Sequence, residues 1–312
     1  MSLNVGVIGA GAVGGYFGGK LCRLISTQGL KVYFIARGQH LEAIRRNGLS
    51  VRTASEGEWI CRPTLATDDF SELPLLDVCL VCVKAYDLQN AARQLRGLVS
   101  DATATIPLLN GIDIYERIRA ELSTGRIFPA CTYIGVNIAA PGQIAQRGGD
   151  CRILFGEDPN AAGYKPHIVF ELFDQGGIGY EWLDDISSAL WRKYIFIAAL
   201  GIVLTAFDKT LGQAIETPQL SNYVRAIMQE IAALARKKGV VLPADIVEES
   251  YQRGNSFAYK TKTSFQRDFE QAGKPDERDL LAGTILRLGT ELGVETPVTG
   301  ELCRLLEQRK PC

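Results

Sequence analysis

Apolar positions fall in short, nearly unbroken stretches through the first half of the chain and in long helical-period segments through the second. Residues 4–8, 31–36, 77–83 and 104–109 are apolar runs of strand length, as in parallel strands covered on both faces. Amphipathic stretches at residues 40–47, 88–98 and 113–122 lie between and after them and predict helices. Residues 50–63 are rich in turn formers, with a short strand or loop behind them. Strand-like pieces recur at residues 127–137, 143–146, 151–156 and 179–183, with a helix near 166–175. This βαβα order with late antiparallel additions predicts a doubly wound sheet. From residue 185 the period becomes helical: 185–207, 219–238 ending at Gly239, 244–253, 277–292 closing at Gly293, and 298–308, with a loop over 254–263. The expected domains are 1–184 and 185–312.

The first strand runs directly into Gly9-Ala10-Gly11-Ala12-Val13-Gly14 and then a helix-compatible segment. In a G-x-G-x-x-G turn so placed, Gly9 makes the tight turn, Gly11 admits a pyrophosphate and Gly14 lets helix pack on strand. The first-turn amides at Ala12 and Val13 then face the phosphates at the positive end of the helix dipole. The expected fold class is therefore α/β, an N-terminal Rossmann-type doubly wound sheet followed by an all-helical C-terminal domain. An NAD-binding fold of this kind usually carries an acid near the end of its second strand to hold the ribose. Here Ala36-Arg37-Gly38-Gln39-His40 occupies that place. Arginine pairs bidentately with a 2′-phosphate, so NADPH is expected over NADH. The plainer alternative for Arg37 is a solvated loop cation.

Composition adds mainly exclusions. A net charge of −1 gives no footprint for nucleic acid or an anionic membrane. Residues 1–3 lack the charged-then-apolar layout of a signal peptide, and a cytoplasmic location is expected. The longest apolar run, residues 194–207, is shorter than the roughly 20 residues that span a bilayer and reads as a core helix. The eight cysteines show no disulfide spacing and are expected to be reduced thiols, Cys79 and Cys82 included. The two histidines, His40 and His167, have no Cys or His partner at ligand spacing, so no metal site is expected.

Lys84 and Asn110 stand at the carboxyl ends of two central strands, where open α/β sheets bind ligands. Plainer readings are a strand-end cation in water for Lys84 and a simple turn for Asn110-Gly111. Lys193 enters an apolar helix between Arg192 and Tyr194. Burial there would lower its pKa from about 10.4 and suit it to proton donation near neutrality. A lysine snorkelling at the helix edge would fit the spacing as well.

Taken together, these pieces resemble the ketopantoate reductase (2-dehydropantoate 2-reductase) family over essentially the whole chain. The similarity rests on the glycine turn, Arg37, Val83-Lys84-Ala85, Asn110-Gly111 and Leu190-Trp191-Arg192-Lys193. Later pieces are the serine-containing loop Thr263–Asp268, the segment from Lys274-Pro275-Asp276-Glu277 to Gly283, and Gly293–Pro297. The resemblance implies NADPH-dependent reduction of a 2-oxo acid to a 2-hydroxy acid, as in pantothenate biosynthesis. It implies that Lys193 protonates the developing alkoxide and that Asn110 bonds near nicotinamide and carbonyl. It further implies that Ser264 meets the substrate carboxylate, and that Glu277 orients the lysine or a substrate hydroxyl. Taken alone, Glu277 also suits the first turn of a helix.

The pattern breaks at Ile197 and Gly201, four and eight residues past the lysine, where the family pattern has hydroxyl-binding asparagines. Ala282 likewise stands for an asparagine and Phe265 for a methionine. A more apolar 2-oxo acid is the expectation that follows. A homodimer is an allowed assembly, with no nucleic-acid or membrane partner. Two rivals stay open: another two-domain hydroxyacid dehydrogenase, and a non-catalytic NADPH-binding regulator.

Overall fold

The computed structural model describes residues 2–310, apart from the side chains of residues 27 and 28. It divides into two compact units. The first comprises Met1–Leu109 and Ile114–Ile186; the second comprises Asn110–Asp113 and Ser187–Cys312.

Among the described residues the first unit has thirteen strands: β1 Asn4–Ile8, β2 Lys31–Ile35, β3 Leu49–Thr53, β4 Gly57–Cys61, β5 Leu65–Thr67, β6 Val78–Val81, β7 Ala104–Pro107, β8 Arg126–Ile127, β9 Ala130–Thr132, β10 Gly135–Ala140, β11 Gln143–Gly148, β12 Arg152–Gly156 and β13 Gly179–Leu183. Six form one sheet in the order β5-β2-β1-β6-β7-β8, every pairing parallel. The chain order reverses beside β1, which places a topological switch between β1 and β6. Val5, Val7 and Ile8 are fully buried, which explains the unbroken apolar run in the sequence.

The remaining strands are not antiparallel additions to that sheet. They make two further sheets, β10-β11-β3-β4 and β13-β12-β9. The stretch read as turn-rich holds the hairpin β3–β4, with Leu49, Val51 and Thr53 alternately buried along β3. Its short strands are masked in the sequence by the polar turn between them.

Helix Ala12–Leu21 is packed on both sides. A Cβ at Gly18 would lie 2.8 Å from Phe34 of the parallel sheet, and one at Gly19 2.7 Å from Val51 of the four-stranded sheet. Glycine costs about 1 kcal/mol per helical position relative to alanine. Here it is what admits two sheets against one helix. Asp158, 1% exposed, accepts hydrogen bonds from the Tyr115 hydroxyl, Arg119 and the amides of Ile127 and Asn160, tying β8 to the chain beyond β12.

The regular elements described in the second unit are all helical. Ile186–Phe207 is its axis, with Ile195, Ile202, Val203 and Leu204 fully buried. At 22 residues it is long and apolar enough to cross a membrane, yet 72% of its most apolar window is buried within the protein. A helix apolar all round is what a core position requires. Around it lie Leu211–Glu216, Pro218–Lys237, Ile246–Arg253, Ser264–Phe269, Thr284–Leu292 and Pro297–Arg309. Glu230 accepts from the Val298 and Thr299 amides and the Thr299 hydroxyl, so a carboxylate from one helix caps the start of another.

Two details differ from the sequence reading. Residues 264–269 form a short helix capped by the Thr263 hydroxyl, where the resemblance implies a serine-containing loop over 263–268. The segment expected as one α-helix over 277–292 begins with a π-helical turn, Asp279–Gly283. Helical periodicity does not distinguish a single π turn from its α-helical surroundings.

Candidate active site

The glycine turn leaves β1 at the switch point, and its three glycines have three different surroundings. Gly9 has φ +96°, and a Cβ there would lie 2.8 Å from the Val83 nitrogen beyond β6. At Gly14 a Cβ would lie 2.2 Å from the Gly9 carbonyl oxygen. At Gly11 nothing stands within 4 Å of the missing Cβ. Two glycines thus permit close packing and the middle one opens on free space, the arrangement a pyrophosphate needs. The Gly15 amide makes the first helical bond, to the Gly11 carbonyl at 2.7 Å, and the amides at Ala12 and Val13 precede it at the helix start. These residues fit a dinucleotide.

His40 supports the turn from behind, a role its lack of metal partners in sequence did not suggest. One ring nitrogen lies 2.9 Å from the Ala10 carbonyl, and the other accepts the Gly142 amide at 3.0 Å. The Nδ1 site must therefore be unprotonated, with the proton on Nε2. Burial lowers the imidazole pKa, although its bond to Ala10 acts in the opposite direction.

Arg37 stands just past β2 and its side chain is 72% exposed. Its guanidinium pairs with Asp87, at 2.5 and 3.3 Å. Asp87 lies in the first turn of helix Ala85–Gln94, which Lys84 precedes as its half-buried N-cap residue. Asp87 is fifty residues from Arg37 along the chain, beyond the reach of a local sequence pattern.

Burial pushes the Cys79 thiol up to about 12 and Cys82 higher still, and a thiol in that state is not a nucleophile. Cys312 lies outside the described residues. Among the described residues no cluster of His, Cys, Asp or Glu has the makings of a metal site.

The second unit holds the other candidates. Lys193 and Glu277 are 8% and 6% exposed, both within the protein rather than on its surface. Their elements are joined by Tyr194, 1% exposed, whose hydroxyl lies within hydrogen-bond distance of the Leu280 and Leu281 carbonyls in the π turn. Asn110 is half-buried, on the short segment assigned to this unit. Ser264 is exposed at the first position of its helix, while Phe265 beside it is buried.

The places of the missing asparagines are apolar. Ile197 packs partly buried against the core. A Cβ at Gly201 would lie 3.1 Å from Leu281 and 3.6 Å from Phe265. The wall two turns beyond Lys193 is thus hydrocarbon.

Known proteins agree with this architecture. Residues 5–160 match the family model "Ketopantoate reductase PanE/ApbA", and residues 185–310 match its C-terminal counterpart. The uncharacterized oxidoreductase YkpB of Bacillus subtilis is 29% identical over 94% of this chain and 94% of its own. The crystal structure of 2-dehydropantoate 2-reductase from Methylococcus capsulatus superposes with a TM-score of 0.84, at 30% identity, covering 99% of this chain and 98% of that one. D-mandelate dehydrogenase in a ternary structure with NADH and anilino(oxo)acetate has the same fold, with a TM-score of 0.84 at 20% identity over 98% of both chains. The chain belongs to the ketopantoate reductase family, oxidoreductases acting on the CH–OH group of a 2-hydroxy acid.

Proposed function

We propose that this protein reduces a 2-oxo acid to the 2-hydroxy acid with NADPH, and that its substrate is ketopantoate or a more apolar relative. The observation that carries the proposal is the burial of Lys193 and Glu277 on two elements that Tyr194 bridges. A buried ammonium can be held in one place, as a proton donor requires.

Gly9, Gly11 and Gly14, with the amides at Ala12 and Val13, would hold the pyrophosphate, Arg37 the 2′-phosphate, and Lys84 and Asn110 the part of the cofactor nearer the chemistry. The bound cofactor supplies the hydride. Lys193 donates a hydrogen bond to the ketone oxygen and passes its proton as the alkoxide forms, so charge is stabilised where it develops. Glu277 orients that ammonium, and Ser264 offers its hydroxyl to the substrate carboxylate. The free space beside Gly11 supports the cofactor half of this reading. The hydrocarbon at Ile197, Gly201, Phe265 and Leu281 supports an apolar substrate, because an isoleucine side chain cannot bond a substrate hydroxyl.

The test is NADPH consumption against a panel of 2-oxo acids that includes ketopantoate and its deoxy analogue 3,3-dimethyl-2-oxobutanoate. Turnover with at least one supports the activity, and faster turnover of the deoxy compound supports the apolar preference. Tight NADPH binding with no turnover of any would replace the enzyme with a cofactor-binding regulator.

A further inference from the structure

We infer that a hydrogen-bonded chain from Arg287 through Thr284 to Asp113 positions Asn110 for the reaction, an inference that rests on the proposed role of Asn110. Asn110 begins a segment of four residues that packs with the helical unit. Gly111 follows with φ +121°, a conformation costly for any other residue. Ile112 then packs against the helical core.

The polar anchor is Asp113. Its Oδ2 accepts from the Thr284 hydroxyl at 3.1 Å and lies 3.4 Å from Arg287 Nη2. The same Arg287 nitrogen donates to the Thr284 hydroxyl at 3.0 Å. The hydroxyl therefore accepts from a cation and donates to an anion, which aligns both bonds and strengthens them. Thr284 is 1% exposed, so water does not compete.

The cation is itself held. Arg287 Nη1 bonds Asp279 across the face of Gly283. A Cβ at Gly283 would lie 2.7 Å from the Asp279 carboxylate and 3.1 Å from Arg287 Nη1. Glycine at that position leaves room for the pair. The chain thus starts at the π turn whose carbonyls Tyr194 bonds, and ends three residues from Asn110. A group required to sit beside a reacting carbonyl tolerates little displacement, and a misplacement of about 1 Å can cost about a hundredfold in rate.

The experiment is a double-mutant cycle between Thr284→Val and Asn110→Ala, read as kcat and KM separately. Valine keeps the packing and removes the hydroxyl. The expected result is a fall in kcat of about tenfold for Thr284→Val with KM changed less, recovered in large part by Thr284→Ser. In the Asn110→Ala background Thr284→Val should add almost nothing. Arg287→Met, made at a half-exposed site, should lower kcat in the same direction should the valine variant fold poorly. A Thr284→Val enzyme with unchanged kcat, or a loss that adds in full to that of Asn110→Ala, overturns the inference while leaving Asn110 in the site. An Asn110→Ala enzyme of full activity removes instead the reading beneath it, and the inference falls with that reading.

Discussion

The Tyr194 hydroxyl lies 2.6 Å from the Leu281 carbonyl oxygen and 2.9 Å from that of Leu280, on the turn that follows Glu277. A π turn shifts the backbone ladder by one residue, and the phenol supplies a donor to carbonyls there. Because Tyr194 directly follows Lys193, one side chain fixes the helix of the proposed acid against the element of the proposed carboxylate. Tyr194→Phe should lower stability by about 1–3 kcal/mol, the cost of a buried carbonyl left unsatisfied. It should also reduce kcat by about tenfold through a displaced Lys193. Denaturant midpoints and steady-state kinetics on one preparation check both. A stability loss with full kcat would make the contact purely structural.

Asp87 occupies the guanidinium of Arg37, the group proposed to hold the 2′-phosphate. Arg37→Ala should weaken NADPH binding by about tenfold or more and leave NADH almost unchanged, since a bidentate charge-assisted contact to the 2′-phosphate is lost. Asp87→Ala should act in the opposite direction, freeing the guanidinium and tightening NADPH relative to NADH. Titration of each variant with both cofactors settles the matter. Equal losses for the two cofactors in Arg37→Ala would remove the 2′-phosphate assignment.

His40 makes stability depend on pH. Burial lowers its folded pKa beneath the unfolded value of about 6.5. As pH falls, the unfolded chain therefore takes up the proton first. This contribution is complete above about pH 6.5 and is lost progressively as pH falls through the folded pKa. Protonation also removes the acceptor for the Gly142 amide. Thermal midpoints from pH 7.5 to 5 should fall more steeply for the wild type than for His40→Gln, whose amide carries a donor and an acceptor but no proton to gain. Parallel curves would assign the acid sensitivity elsewhere.

Ile197→Asn should shift preference towards the hydroxylated substrate. The ratio of kcat/KM for ketopantoate to that for its deoxy analogue should rise about tenfold or more, because a hydroxyl then gains a partner near Lys193. An unchanged ratio would place the substrate's distal end away from this face of the helix.

What could be read from the sequence was local. The glycine turn was legible because its glycines answer to the βα geometry, and the helix of residues 186–207 because an almost unbroken apolar run fills its second half. The hairpin β3–β4 was hidden by its polar turn, and the π turn by an unchanged apolar period. The roles of Asp87, His40 and Asp113 are illegible for another reason. Their partners lie 50, 102 and 171 residues away, and a single sequence carries no trace of such pairings.

The proton donor is tested most directly by single-turnover oxidation of enzyme-bound NADPH, with saturating 2-oxo acid, in the wild type and in Lys193→Ala. A fall of about a hundred- to ten-thousandfold in the rate, with NADPH affinity unchanged, is the expected result. A variant that reduces the substrate within a few-fold of the wild-type rate would contradict it.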